Sequence, residues 1–311
     1  MSKPNVLLFR IALLTALLAY AVVLLGAYTR LSDAGLGCPD WPGCYGRLIA
    51  PSAAADVEDA AQAYPSSRVE PAKAWTEMVH RYAAGILGLL IVLLALVSFR
   101  KRSRPPRRGL AVLLVALVVF QAVLGMWTVT LQLKPLVVLG HLLGGFALLA
   151  LLWWLVLREQ QLWKPVSGPA SLLRRLRPRA WVALTLVVVQ IALGGWTSAN
   201  YVALVCPDFP TCQGQWWPNV DFADGFVLWR GLGVNYEGGV LSLAAATAVH
   251  MGHRLGALIT FLYVGWLALH VIRVGGKKHL IRQDERAQRA GLHLCRYGLA
   301  MLIALLAQIV L

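Results

Sequence analysis

Residues 193–212 read LGGWTSANYVALVCPDFPTC, and residues 25–44 read LGAYTRLSDAGLGCPDWPGC. At a constant offset of 168 the two stretches share Leu, Gly, Thr, Leu, Cys, Pro, Asp, Pro and Cys in register. Chance matching in an apolar chain would pair leucines and miss cysteines, so the identities point to a duplicated unit. Each copy is an apolar run leading into a Cys-Pro-Asp-x-Pro-x-Cys loop. That pattern sets the fold class expected here: an all-α integral membrane protein made of two pseudo-repeated halves.

Composition agrees with that reading. The chain has 311 residues, 59% of them hydrophobic and only 14% charged, with a mean hydropathy of +0.65. These values lie outside the range of soluble domains. Runs long enough to cross a hydrocarbon core of about 30 Å fall at 11–29, 75–99, 109–133, 135–157, 180–205, about 240–272, and from about 296 to 311. Seven spans are therefore expected.

The net charge of +15 does not indicate nucleic acid, because the basic residues sit between pairs of spans. Runs 100–108, 158–179 and 273–289 each carry six Lys or Arg, whereas the long loops 30–74 and 200–245 are balanced or acidic. By the positive-inside rule the N-terminus and basic runs are cytoplasmic and the two cysteine loops face outward. Lys3 and Arg10 before an apolar run also resemble a signal peptide. However, Leu25, Gly26 and Thr29 have counterparts deep in the chain, so the first span is read as retained. A multi-pass protein of a bacterial inner membrane, with periplasmic cysteine loops, follows.

Cys38 pairs by spacing with Cys44, and Cys206 with Cys212, while Cys295 stands alone in the last span. On an oxidising side a disulfide within each loop is the favoured reading. A metal site lacks a third ligand, and no Cys-x-x-Cys-His is present for covalent haem. Cys295 reads as a small core residue.

Gln, Gly and Thr recur at i, i+4, i+7 on one helix face, at 121, 125 and 128 and at 190, 194 and 197, and Gln308 begins the pattern again. Such a face serves close packing or a ligand equally well. The alternate spans carry ionisable groups: Glu77, His80 and Arg81 in one, His141 in the next, and His250, His253 and Arg254 in the third. At 1.5 Å per residue His141 lies about 9 Å below Pro135, a depth comparable to His80 and His253. A single intramembrane histidine is commonly a packing contact, but three at one level mark a pathway, ion or cofactor. Neutral imidazoles from facing helices suit axial ligation of haem iron. Arg81 and Arg254 are then candidate partners for haem propionates.

With these residues in hand, the chain resembles the haem A synthase family, whose members convert haem O to haem A for cytochrome oxidase assembly. The resemblance rests on LGAYTRLSDAGLGCPDWPGC, EMVHR (77–81), QAVLGMWTV (121–129) followed by His141, QIALGGWTS (190–198) with CPDFPTC, and HMGHR (250–254). It implies eight spans in two four-helix bundles: an N-terminal half over 1–157, a basic linker over 158–179 and a C-terminal half over 180–311. It further implies that His80 and His141 hold the substrate haem O, that His253 is one ligand of a haem b, and that Glu77 is a catalytic acid/base or proton-relay group. His250 is a lesser iron candidate, since it leaves the same helix surface as His253. The motif restarting at Gln308 predicts an eighth span with a histidine beyond residue 311, so the eighth span is read as missing here. The implied partners are haem O, the haem O synthase that supplies it, an electron acceptor, the lipid bilayer and, as an option, a second copy of the chain.

Two readings from other classes are set against this one. A transporter with parallel repeats would place broken helices and charges at mid-membrane, whereas the ionisable residues here cluster near one face. A haem-free thiol-quinone oxidoreductase working through Cys38 and Cys44 leaves the histidines without a purpose.

Overall fold

A tight turn at 131–134 joins two long helices, and it shows how this chain uses backbone geometry to reverse direction. Gln132 and Leu133 both adopt left-handed conformations, with φ of 50° and 59°. Pro135 follows and opens the next helix, where its missing N–H costs nothing. In this computed structural model the described residues are 6–99, 105–159, 170–276 and 285–310. The helices are α1 (Val6–Leu31), α2 (Ala54–Ala63), α3 (Pro71–Ser98), α4 (Pro105–Thr130), α5 (Pro135–Glu159), α6 (Ala170–Ala199), α7 (Phe222–Gly225), α8 (Leu243–Gly275) and α9 (Glu285–Val310). Seven of them are long and apolar enough to cross a membrane. The expectation of an all-helical, multi-pass membrane protein with seven spans holds. The basic runs at 100–108, 158–179 and 273–289 lie partly outside the described residues.

Two compact units form. One comprises residues 1–163 with 227–240, and the other 164–226 with 241–311. In the first unit α1 packs on α3 and α5, and α4 packs on α3 and α5, closing a ring of four helices. Consequently α3 and α5 stand diagonally across the bundle. Ala12, Ala16 and Ala19 give α1 a small-residue stripe that admits close neighbours, and with Leu8 they join Leu87, Ile91, Leu114 and Leu152 in the core. Large apolar side chains such as Leu89 and Leu96 point outward, as helices in lipid require.

In the second unit α8 packs against α6, α7 and α9. The α8–α9 crossing is backbone to backbone: a Cβ on Gly291 would lie 2.6 Å from the Gly275 carbonyl oxygen. Glycine there permits an approach that any side chain would block. Helix α9 begins at Glu285, eleven residues before the span read from hydropathy, because its first turns are helical yet polar. Ser242 caps α8 by accepting from the Ala245 N–H at 3.3 Å, a cap preference of serine.

Candidate functional site

The two cysteine loops close as expected, with Cys38 bonded to Cys44 and Cys206 to Cys212. Each loop repeats the other's internal bonding at the offset of 168. Asp40 accepts from the N–H groups of Tyr45 (2.6 Å) and Gly46 (2.8 Å), and Asp208 accepts from those of Gln213 (2.6 Å) and Gly214 (3.1 Å). In both loops these residues take positive φ: Tyr45 and Gly46 in one, Gln213 and Gly214 in the other. The shared aspartate therefore ties down a strained turn, a role that sequence reading missed although the residue stands in both motifs.

Asp208 also accepts from the Thr211 hydroxyl, the largest influence holding its carboxyl below the usual range near 4, with the N–H groups of Gly214 and Gln213 adding to it. A depressed folded value means the turn gains stability above the unfolded pKa and loses it as pH falls through the folded one. Hydrogen-exchange protection at Gln213 and Gly214 is thus expected to hold from neutrality to about pH 4 and to drop below it. Asp208→Asn should show no such step.

Arg81 and Arg254 do not point away toward free space. Arg81 donates to the carbonyls of Asp40 (3.0 Å) and Gly43 (2.6 Å), and Arg254 to those of Asp208 (2.8 Å) and Thr211 (2.8 Å), the matching positions of the second loop. Each guanidinium clamps its disulfide loop to the helix below. One turn earlier the two sites diverge. Glu77, 4% exposed, accepts from the Cys38 N–H at 2.9 Å and from Arg81. His250 takes the equivalent place, with Nδ1 at 3.0 Å from the Val202 carbonyl and Nε2 accepting from Arg254 Nε at 3.0 Å. That network assigns the proton to Nδ1 and occupies both nitrogens of His250, leaving neither for a metal.

The other three candidate-site histidines share another arrangement. A Cβ on Gly26 would lie 3.0 Å from His80 Cε1, one on Gly194 3.1 Å from His253 Cε1, and one on Gly125 3.5 Å from His141 Cε1. His80 and His253 thus rest in notches that Gly26 and Gly194 open on the facing helices, while His141 lies in ordinary contact with Gly125. Gln190 reaches His253, its amide nitrogen 3.0 Å from Nδ1. His80 and His141 differ, because their buried Nδ1 atoms form no hydrogen bond. The carbonyls of Val22 and Gln121, one turn before Gly26 and Gly125, lie within electrostatic reach, and so do the two rings of each other.

Two half-buried imidazoles therefore approach from α3 and α5, the diagonal pair of the first bundle, with incompletely satisfied polar atoms. Among the described residues no three His, Cys, Asp or Glu gather as a metal cluster. Two imidazoles on facing helices can hold a planar iron group without such a cluster.

The family model for cytochrome oxidase assembly proteins (COX15-CtaA) matches residues 9–311. This chain belongs to that family. Within the cytochrome oxidase assembly proteins, haem A synthase of Shewanella oneidensis is 46% identical over 253 residues, covering 81% of this chain and 74% of its own length. Haem A synthase of Shouchella clausii is 29% identical over 218 residues, 68% of this chain and 65% of its own length. The Bacillus licheniformis haem A synthase is 25% identical over 270 residues, 85% of this chain and 75% of its own length.

Proposed function

We propose that this member of the family is a haem A synthase, a membrane oxidoreductase that converts haem O to haem A by oxidising a ring methyl group to a formyl group. The observation that carries the reading is the pair His80 and His141, two imidazoles on the diagonal helices of the first unit whose rings lie beside the Val22 and Gln121 carbonyls, the outer partners that suit histidines binding a metal through the other ring nitrogen. In this reading they hold the substrate haem O through its iron, and His253 contributes one ligand to a haem b. Bound haem iron supplies one-electron and oxygen chemistry.

The chain's own residues orient and enclose. Gly26 admits the His80 imidazole closely against its helix. The Glu77–Arg81 pair ties the disulfide loop to the helix that carries His80. Each Glu77 oxygen accepts one hydrogen bond, which supports a positioning role; with about four acceptor sites on a carboxylate, the same network also leaves room for a proton-relay role. Arg81 and Arg254 act in this reading as loop clamps, since most of their hydrogen bonds go to loop carbonyls. The disulfides lie on the oxidising side of a bacterial inner membrane and the basic runs on the cytoplasmic side. Haem O would come from its synthase, and electrons would leave to an acceptor of another protein or a quinone pool.

Expression of the chain in cells that make haem O but lack haem A tests the reading. Chromatography of extracted pigments should reveal haem A only when the chain is present. Haem O alone, with the chain in the membrane and its disulfides formed, would count against it.

A further inference from the structure

Lys134 has 1% of its surface exposed, the largest of the fully buried side chains. It stands at the entry to α5, at the same end of the first unit as the Cys38–Cys44 loop, because the helices of the ring alternate in direction. Its ammonium donates to the Gly231 carbonyl and sits 3.1 Å from the centroid of the Trp229 ring. Both partners come from the segment 227–240, about a hundred residues away in sequence but part of the same unit. Among the described residues no carboxylate lies within ion-pair distance of it. A buried ammonium facing only a carbonyl and an aromatic face is poorly compensated, and three N–H donors exceed what those partners use. Burial accordingly holds the Lys134 ammonium below its ordinary pKa.

A second polar group at the same place also lacks its partner. Tyr236 is 2% exposed, its N–H donates to the Gln132 carbonyl at 3.1 Å, and its hydroxyl makes no hydrogen bond. Lys134 and Tyr236 line one small cleft with Thr130, Gln132, Gly231 and Val234. An ammonium with N–H groups beyond its one carbonyl acceptor and a phenol hydroxyl without a partner, lining the same cleft, suit a carboxylate. Lys134 precedes His141 by seven residues, two turns along the same face of the chain's path into α5, a rise of about 10 Å. That offset is of the order separating a haem iron from its propionate ends.

We propose that Lys134 and Tyr236 bind a propionate of the substrate haem, so that α5 holds that haem at two points, its iron through His141 and its acid edge through Lys134. The proposal rests on the haem reading of His80 and His141 above. It replaces Arg81 as the cation facing the acid edge in the first unit.

Esterification tests this directly, because it removes the negative charge and leaves the ring and iron intact. The full chain, carrying His253→Ala to silence the second unit, is titrated in detergent with ferric protoporphyrin IX and with its dimethyl ester, each followed by the Soret band. The free acid is expected to bind about tenfold or more tightly than the ester. Lys134→Gln should remove most of that preference, Lys134→Arg should keep part of it, and Tyr236→Phe should reduce it by a smaller factor. If Lys134→Gln weakens acid and ester by the same factor, Lys134 only secures segment 227–240 and the proposal is overturned. Equal affinity of the Lys134-containing chain for acid and ester overturns it as well, while leaving the haem reading standing. Failure of both haems to bind removes the haem reading and the proposal together.

Discussion

Membranes carrying His80→Ala or His141→Ala are expected to retain no more than about a tenth of the haem bound at the first unit, since even second-shell losses cost 10- to 100-fold. The same two variants should be as thermally stable as the parent when haem is withheld, or more so. The reason lies in the two rings themselves: each Nδ1 is buried without a close hydrogen bond, so in haem-depleted protein each ring bears a desolvation penalty that alanine removes. A histidine kept for packing would behave in the opposite way. His250 supplies that control, because both its nitrogens are bonded, to the Val202 carbonyl and to Arg254. His250→Ala should cost about 1–3 kcal/mol of stability and leave haem at the first unit unchanged. Differential scanning of haem-depleted protein beside pigment analysis of loaded protein reads both quantities. Haem loss together with a comparable loss of stability in His80→Ala would assign the ring to packing.

Much of this arrangement is legible in the sequence because the membrane constrains it so heavily. Seven apolar runs can only be helices, and two Cys-Pro-Asp-x-Pro-x-Cys loops at one offset identify their own pairing. The level shared by His80, His141 and His253 follows from counting 1.5 Å per residue. What stays hidden depends on where long side chains turn. Arg81 and Arg254, one residue past a histidine, are as well placed on paper for a bound acid as for a loop, and the carbonyls they clamp belong to residues about forty positions away. Lys134 reads as an ordinary turn lysine beside Pro135. Its burial comes from Trp229 and Gly231, and no local pattern announces that contact. The start of α9 was obscured for a different reason: hydropathy detects residence in lipid, while Glu285–Arg296 is helix without being apolar.

Glu77→Ala is expected to destabilise the first unit by about 3–5 kcal/mol, the range for removing one partner of a buried ion pair. Its carboxylate and the Arg81 guanidinium are both shielded, with 6% and 13% of their side-chain surfaces exposed, so solvent screens little of the interaction. Alanine would strand the Cys38 N–H, which has the carboxylate as its acceptor, and would leave Arg81 with loop carbonyls alone. Loosening should start in the Cys38–Cys44 loop, so faster reduction of that disulfide by added thiol ought to precede unfolding of the helices. Glu77→Gln separates positioning from proton transfer, since the amide keeps the shape and one acceptor oxygen but cannot carry the charge or exchange a proton at neutral pH. If Glu77 acts through the loop, Glu77→Gln should lie between parent and alanine in stability, and turnover should follow the loop's integrity across the three proteins. If it acts as an acid or base, Glu77→Gln should keep a protected disulfide and still make no haem A. The second unit adds an internal comparison, because His250, in the place of Glu77, bonds Arg254 and the Val202 carbonyl just before its loop instead of a loop cysteine N–H: among the described residues no carboxylate is bonded to Arg254 there. A Glu77→His chain that protects Cys38–Cys44 as well as the parent would show that the first loop, too, needs the bonds and not the charge.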